Sequence, residues 1–94
     1  MTVAADPMEA LRGRFRGRLS EERAVLAEAA AKSDRATLRA ICHRIAGAGG
    51  MFGYGDLSDL ASLIEEGLDG GAPCPALRTQ VSELLAAIDA ATIR

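Results

Sequence analysis

The stretch His43-Arg44-Ile45-Ala46-Gly47-Ala48-Gly49-Gly50-Met51-Phe52-Gly53 holds the single histidine of a 94-residue chain and sets four glycines behind it. At about 100° per residue, Leu38, Ile41, Ile45, Ala48 and Phe52 fall on one side of a helix, the apolar stripe of an element that faces a core. His43 lies about 200° from both Ile41 and Ile45, on the opposite side, in a stripe with Arg39, Ala46, Gly47 and Gly50. Each glycine inside a helix costs roughly 1 kcal/mol relative to alanine. Gly47, Gly49 and Gly50 therefore oppose this helix, and some other requirement must hold them there.

Helical side chains lean toward the N-terminus, so the residue four places after His43 would lie back over its ring. That residue is Gly47, and Gly50 leaves the next turn equally bare. The pattern predicts a flat docking surface around one reactive imidazole nitrogen.

Outward from this helix the chain reads as three more. Asp6 followed by Pro7 is a helix start, a capping carboxylate and a proline at the first helical position. Leu11, Phe15, Leu19, Leu26 and Ala30 carry a stripe to about Ala31, with Ser20 as a place where the helix could divide. Gly13 and Gly17 permit either a close helix approach or a weakened surface. Ser33 or Asp34 caps the helix of His43, which runs to about Phe52, and Gly53-Tyr54-Gly55 forms a turn. Asp56 starts a third helix, with Asp59 in a partial capping box and Leu57, Leu60, Ala61, Ile64 and Leu68 as its stripe. Gly70 and Gly71 end it. Pro73-Cys74-Pro75 presets a fourth, in which Leu77, Val81, Leu84, Leu85 and Ile88 recur. Four amphipathic helices with short connections predict an all-α, antiparallel up-and-down four-helix bundle over residues 7–94, preceded by a flexible arm, residues 1–6.

Composition agrees with that fold. A hydrophobic content of 49% supports a single core, and with only three aromatics that core must be built from Leu, Ile, Val and Ala. A net charge of −2 gives no field that would draw the chain to nucleic acid or an anionic membrane. No apolar run approaches the roughly 20 residues of a membrane span, so a soluble domain is expected. Cys42 and Cys74, without a leader segment, read as reduced thiols in a cytoplasmic protein, and Cys42 as a residue at the core edge.

The run from His43 to Gly49 with Phe52-Gly53 and Leu57 resembles the signature of histidine-containing phosphotransfer (HPt) domains, and the surrounding helix pattern extends that resemblance over nearly the whole chain. The resemblance implies that His43 is the phosphoacceptor, through Nε2. It further implies that the partners are response-regulator receiver domains and a hybrid histidine kinase, and that the receiver supplies Mg²⁺. This chain then needs no cofactor and no metal. Arg39, Arg44, Ala46, Gly47 and Gly50 form the phosphoryl and partner surface. One position departs from the pattern: Ala46 stands where the family often has lysine, so the nearby cation must be Arg39 or Arg44 or be missing. An ordinary imidazole is largely neutral at cell pH and has a lone pair for attack on phosphorus. Both arginines would repel a proton from it and could then meet phosphoryl oxygens, or they are plain solvated charges.

Other chemistries fit less well. Gly47, Gly49 and Gly53 have neither dinucleotide nor P-loop spacing. Gly49 and Gly53 match a small-xxx-small helix contact, whose membrane form the apolar run length excludes. Cys42 points about 100° away from His43, which rules out a dyad, and one histidine with two distant cysteines has no metal-ligand spacing. Arg12-Gly13-Arg14-Phe15-Arg16-Gly17-Arg18 is basic, yet the neighbouring acids Glu9, Glu21 and Glu22 favour a solvated face over RNA binding. The chain is too short for an ATP-binding domain and should not phosphorylate itself. The expectation is a monomeric phosphocarrier, free-standing to judge from Met1 and the finish after the last helix. Its rival is an adaptor that binds a partner through the same face without phosphoryl chemistry.

Overall fold

The computed structural model describes residues 6–93, so the arm expected over residues 1–6 lies outside the described residues except for Asp6. Four helices follow: α1, Pro7–Ala31; α2, Arg35–Met51; α3, Gly55–Asp69; and α4, Arg78–Thr92, which a 3-10 turn, Cys74–Leu77, precedes. There is no strand among the described residues. Each helix packs on its two neighbours, α1 on α2 and α4, and α3 on α2 and α4, with α2 against α3 the most extensive contact. The result is the antiparallel four-helix bundle that the periodicity predicts.

Leu19, Leu26, Leu38, Ile45, Leu57, Ile64, Leu84 and Ile88 are the large, fully buried side chains, one pair from each helix. Cys42 lies among them with no exposed surface, inside the core and not at its edge. Burial pushes its thiol up to about 12, with the Glu65 carboxylate adding to the effect. Helix α1 runs through Ser20 unbroken, because Phe15, Leu19 and Leu26 keep one stripe on both sides of it. Leu11 leaves that stripe at 40% exposure. Phe15 already meets Phe52, the C-cap of α2, with ring centroids 5.5 Å apart, so a residue one turn earlier on α1 has no α2 left to cover it. At the other end Ala29, with Ala30 half-buried, completes the stripe.

The three connections share one device. After α1 the Asp34 amide donates to the Ala29 carbonyl, after α2 Tyr54 to Gly49, and after α3 Ala72 to Gly67, at 2.8, 2.8 and 2.9 Å. Each is the six-to-one bond of a Schellman motif, whose penultimate residue must be left-handed. Gly53 (φ 87°) and Gly71 (φ 90°) meet that need at no steric cost, whereas Ser33 (φ 55°) meets it with a side chain. Ser33 thus ends α1, and Asp34 caps α2 by accepting from the Thr37 amide.

The capping box expected at Asp56 and Asp59 does not form. The chain has turned already at Tyr54, whose carbonyl takes the Ser58 amide, so α3 starts at Gly55. Asp56 sits inside the first turn, where its charge favours the helix dipole. Likewise the helix after Pro75 begins as a 3-10 turn, and Leu77 is buried from it instead of from α4 proper. Gly67 makes room for it: a Cβ there would stand 2.6 Å from a Leu77 methyl.

Candidate functional site

The three interior glycines of α2 have different surroundings. Gly49 is buried, and a Cβ on it would press on backbone, 3.2 Å from the Tyr54 oxygen and 3.3 Å from the Ser58 nitrogen. Its requirement is the close approach of α3. A Cβ on Gly50 would meet only the Ser58 hydroxyl, at 3.6 Å. Gly47 has nothing within 4 Å of that position. Packing therefore gives no reason for Gly47, which leaves its turn of α2 open to solvent.

His43 stands on this open side with 71% of its side chain exposed. Its Nδ1 lies 2.8 Å from Oε2 of Glu65, a residue of α3 whose side chain is only 16% exposed. An ionised carboxylate can only accept, so in this contact Nδ1 carries the hydrogen, and in the neutral tautomer the lone pair is then on Nε2. Glu65 escaped the sequence reading because it directly follows the stripe residue Ile64 and looks like an ordinary helix charge. Ser58, Glu65 and Asp69, spaced seven and four apart, all lie on the α3 flank that faces α2. Ser58 donates to the Ala46 carbonyl at 2.6 Å.

Arg39, one turn before His43, joins the same carboxylate. Its Nη2 is 3.2 Å from Glu65 Oε2, and its Nε and Nη2 reach the two oxygens of Asp69 at 2.7 and 3.2 Å. The Arg39 guanidinium holds the Asp69 carboxyl below the usual carboxylate range, and Asp69 raises Arg39 in turn. Arg44 is elsewhere: it pairs with Glu22 of α1, on the other flank of α2. Ala46 is half-buried against the core on the α3 side. The structure therefore brings together His43, Arg39, Gly47 and Gly50 as one surface, with Ala46 at its inner edge and Arg44 facing α1.

A family model, that of the Hpt domain, matches residues 10–91. The chain belongs to the Hpt domain family. No curated protein and no solved structure matches it significantly. Membership in the Hpt family implies histidine phosphotransfer in a phosphorelay, by a carrier and not by an autokinase. Members of the Hpt family typically meet receiver domains and kinases. Among the described residues of this Hpt domain no group of three or more His, Cys, Asp and Glu is placed to hold a metal ion. Among the described residues no helix is long and apolar enough to cross a membrane.

Proposed function

We propose that the chain is a monomeric, cytoplasmic phosphocarrier that accepts a phosphoryl group on Nε2 of His43 from a receiver-domain aspartate and passes it to the aspartate of another receiver. The observation that supports this reading is the chain's one histidine, exposed beside a bare turn and held through Nδ1 by Glu65. Nε2 attacks phosphorus, the P–N bond forms, and the bond to the aspartyl oxygen breaks to return a carboxylate. No proton has to leave, because the attacking nitrogen bears none. The ring gains positive charge in the process, and the Glu65 carboxylate on the Nδ1 hydrogen stabilises it. Arg39 supports Glu65 from behind. It also stands as the nearest cation in place of the family's lysine, while Ala46, Gly47 and Gly50 form the surface against which the receiver lies. Mg²⁺ would come with the receiver, and this chain would contribute no cofactor.

The adaptor reading draws on the engagement of Arg39 by Asp69 and Glu65 and of Arg44 by Glu22, which leaves neither arginine idle. Phosphorylated receivers from the same organism, mixed with wild type and with His43→Gln, separate the two. An acid-labile, base-stable phosphate on wild type that is missing from the variant supports the carrier. Binding without any label on wild type supports the adaptor.

A further inference from the structure

Arg35, Arg39 and His43 follow one another at four-residue steps on α2, and all three reach across to α3. Arg35 donates to the carbonyls of Leu68 and Ala72 and so ties off the end of α3. Arg39 directs its hydrogen bonds to Asp69, through Nε at 2.7 Å and Nη2 at 3.2 Å. The same Nη2 lies 3.2 Å from Oε2 of Glu65 as a charge contact only. That oxygen is the one on Nδ1 of His43. Asp69 is the last residue of α3, where the helix dipole disfavours a carboxylate, and Arg35 already secures this end. Neither the helix nor its joint with α2 explains an acid at that place.

We propose that Asp69 is a positioning residue for phosphoryl transfer: it keeps Arg39 hydrogen-bonded to itself and so leaves the charge of Glu65 to the ring of His43. The proposal rests on the phosphocarrier reading. Two carboxylates share one guanidinium here, so one negative charge is left over. It stands on the Nδ1 side of a ring that turns cationic as Nε2 takes the phosphoryl group. A guanidinium favours a two-pronged grip on a single carboxylate. Without Asp69 that grip falls to Glu65, whose Oε2 then serves Arg39 at the expense of Nδ1, and the surplus charge is gone. The electrostatics divide in the same way. Arg39 is raised chiefly by Asp69, with Glu65 a lesser cause. The Asp69 carboxyl is lowered chiefly by Arg39 and to a lesser degree by the charge of His43, so this acid and the ring act on each other although no hydrogen bond joins them.

The test labels His43 with two donors: potassium phosphoramidate, from which Nε2 takes the phosphoryl group as ammonia leaves, and the phosphorylated receiver that is fastest on wild type. The variants are Asp69→Asn, Asp69→Glu, Arg39→Gln and the double variant D69N/R39Q, each checked for wild-type helical circular dichroism. Asp69→Asn should slow labelling about threefold with either donor, the loss lying in kcat and not in the KM of the receiver. Nitrogen-15 shifts of the ring should show less of the Nδ1–H tautomer. Asp69→Glu, which can still hold Arg39, should restore both. On the Arg39→Gln background the substitution of Asp69 should lose most of its effect, because no guanidinium is released. Equal rates in wild type and Asp69→Asn overturn the proposal, as does an equal fold loss on the Arg39→Gln background. A loss confined to the KM of the receiver also overturns it, since Asp69 would then be a contact of the partner. A wild type labelled by phosphoramidate but by no receiver removes the phosphocarrier reading, while the phosphoramidate rates still decide for or against Asp69.

Discussion

Oε2 of Glu65 lies 2.8 Å from Nδ1 of His43, and that one contact engages Nδ1 and leaves Nε2 without a partner. Hydrogen bonds to charged groups contribute about 1.5–3 kcal/mol. Glu65→Gln keeps an acceptor but removes the charge, and should slow receiver-dependent labelling of His43 by roughly tenfold. Glu65→Leu should slow it further. Nitrogen-15 spectra of the ring would check the cause: the share of Nδ1–H tautomer should drop in both variants. A full rate in Glu65→Leu would show that the carboxylate has no part in the transfer.

The glycines of α2 should respond in opposite directions. Gly47→Ala places a methyl in open space and improves helix propensity, so the domain should gain up to about 1 kcal/mol, a rise of several degrees in Tm. Gly49→Ala forces a methyl against the backbone of Tyr54 and Ser58 and should lower Tm despite the same propensity gain. Gly47→Leu should keep the stability and cost phosphoryl transfer, because its side chain leans back over His43. Thermal melts with matched transfer assays would read both.

Ser33 adopts the left-handed conformation that Gly53 and Gly71 adopt in the equivalent places. Ser33→Gly should relieve that strain and stabilise the domain by about 1 kcal/mol, with no change in transfer rate. Urea denaturation at constant m-value would measure it. A destabilised variant would mean that the serine side chain does something its backbone does not reveal.

Cys42 and Cys74 are both buried, and the Cys42 thiol is pushed up to about 12 by burial. Neither should react with a maleimide or disulfide reagent at pH 8 faster than the bundle opens. The labelling rate should climb with denaturant in parallel with unfolding.

Asp69 beside Arg39, Asp89 beside Arg23 and Asp34 beside the hydroxyl and amide of Thr37 all have depressed carboxyl pKa values. A carboxyl depressed in the folded state adds stability above its unfolded pKa, near 3.8, and that stability is lost as pH falls through the folded value. These pairs are solvent-exposed, so the effect should be modest. Denaturation midpoints should hold their contribution down to about pH 5 and decline below about pH 4. In Asp69→Asn the decline should be shallower.

The four helices were legible because Leu38, Ile41 and Ile45, or Leu57, Ala61, Ile64 and Leu68, keep one face at helical spacing, and burial follows that face. Helix ends were harder. Asp56 has every property of a cap, but the Schellman bond from Tyr54 to Gly49 turns the chain two residues sooner, and such a bond has no local signature beyond Gly53. Leu11 fits the stripe of α1 and is exposed because α2 ends at Phe52, a fact about another segment. The same limit applies at the site. His43 and Gly47 announce themselves within one helix, whereas Glu65 gains its meaning 22 residues on, from the angle at which α3 lies against α2. Arg39 and Arg44 look alike in sequence, and only their neighbours, Asp69 and Glu22, separate them.

The chain has no tryptophan and a single tyrosine, and that ring leans on Phe15 while its hydroxyl takes a hydrogen bond from Arg16 at 3.1 Å. Ultraviolet emission from this protein is therefore a one-site signal. It comes from the corner where the second helix turns into the third, and excitation near 280 nm will report the opening of that corner with almost no background from the rest of the molecule.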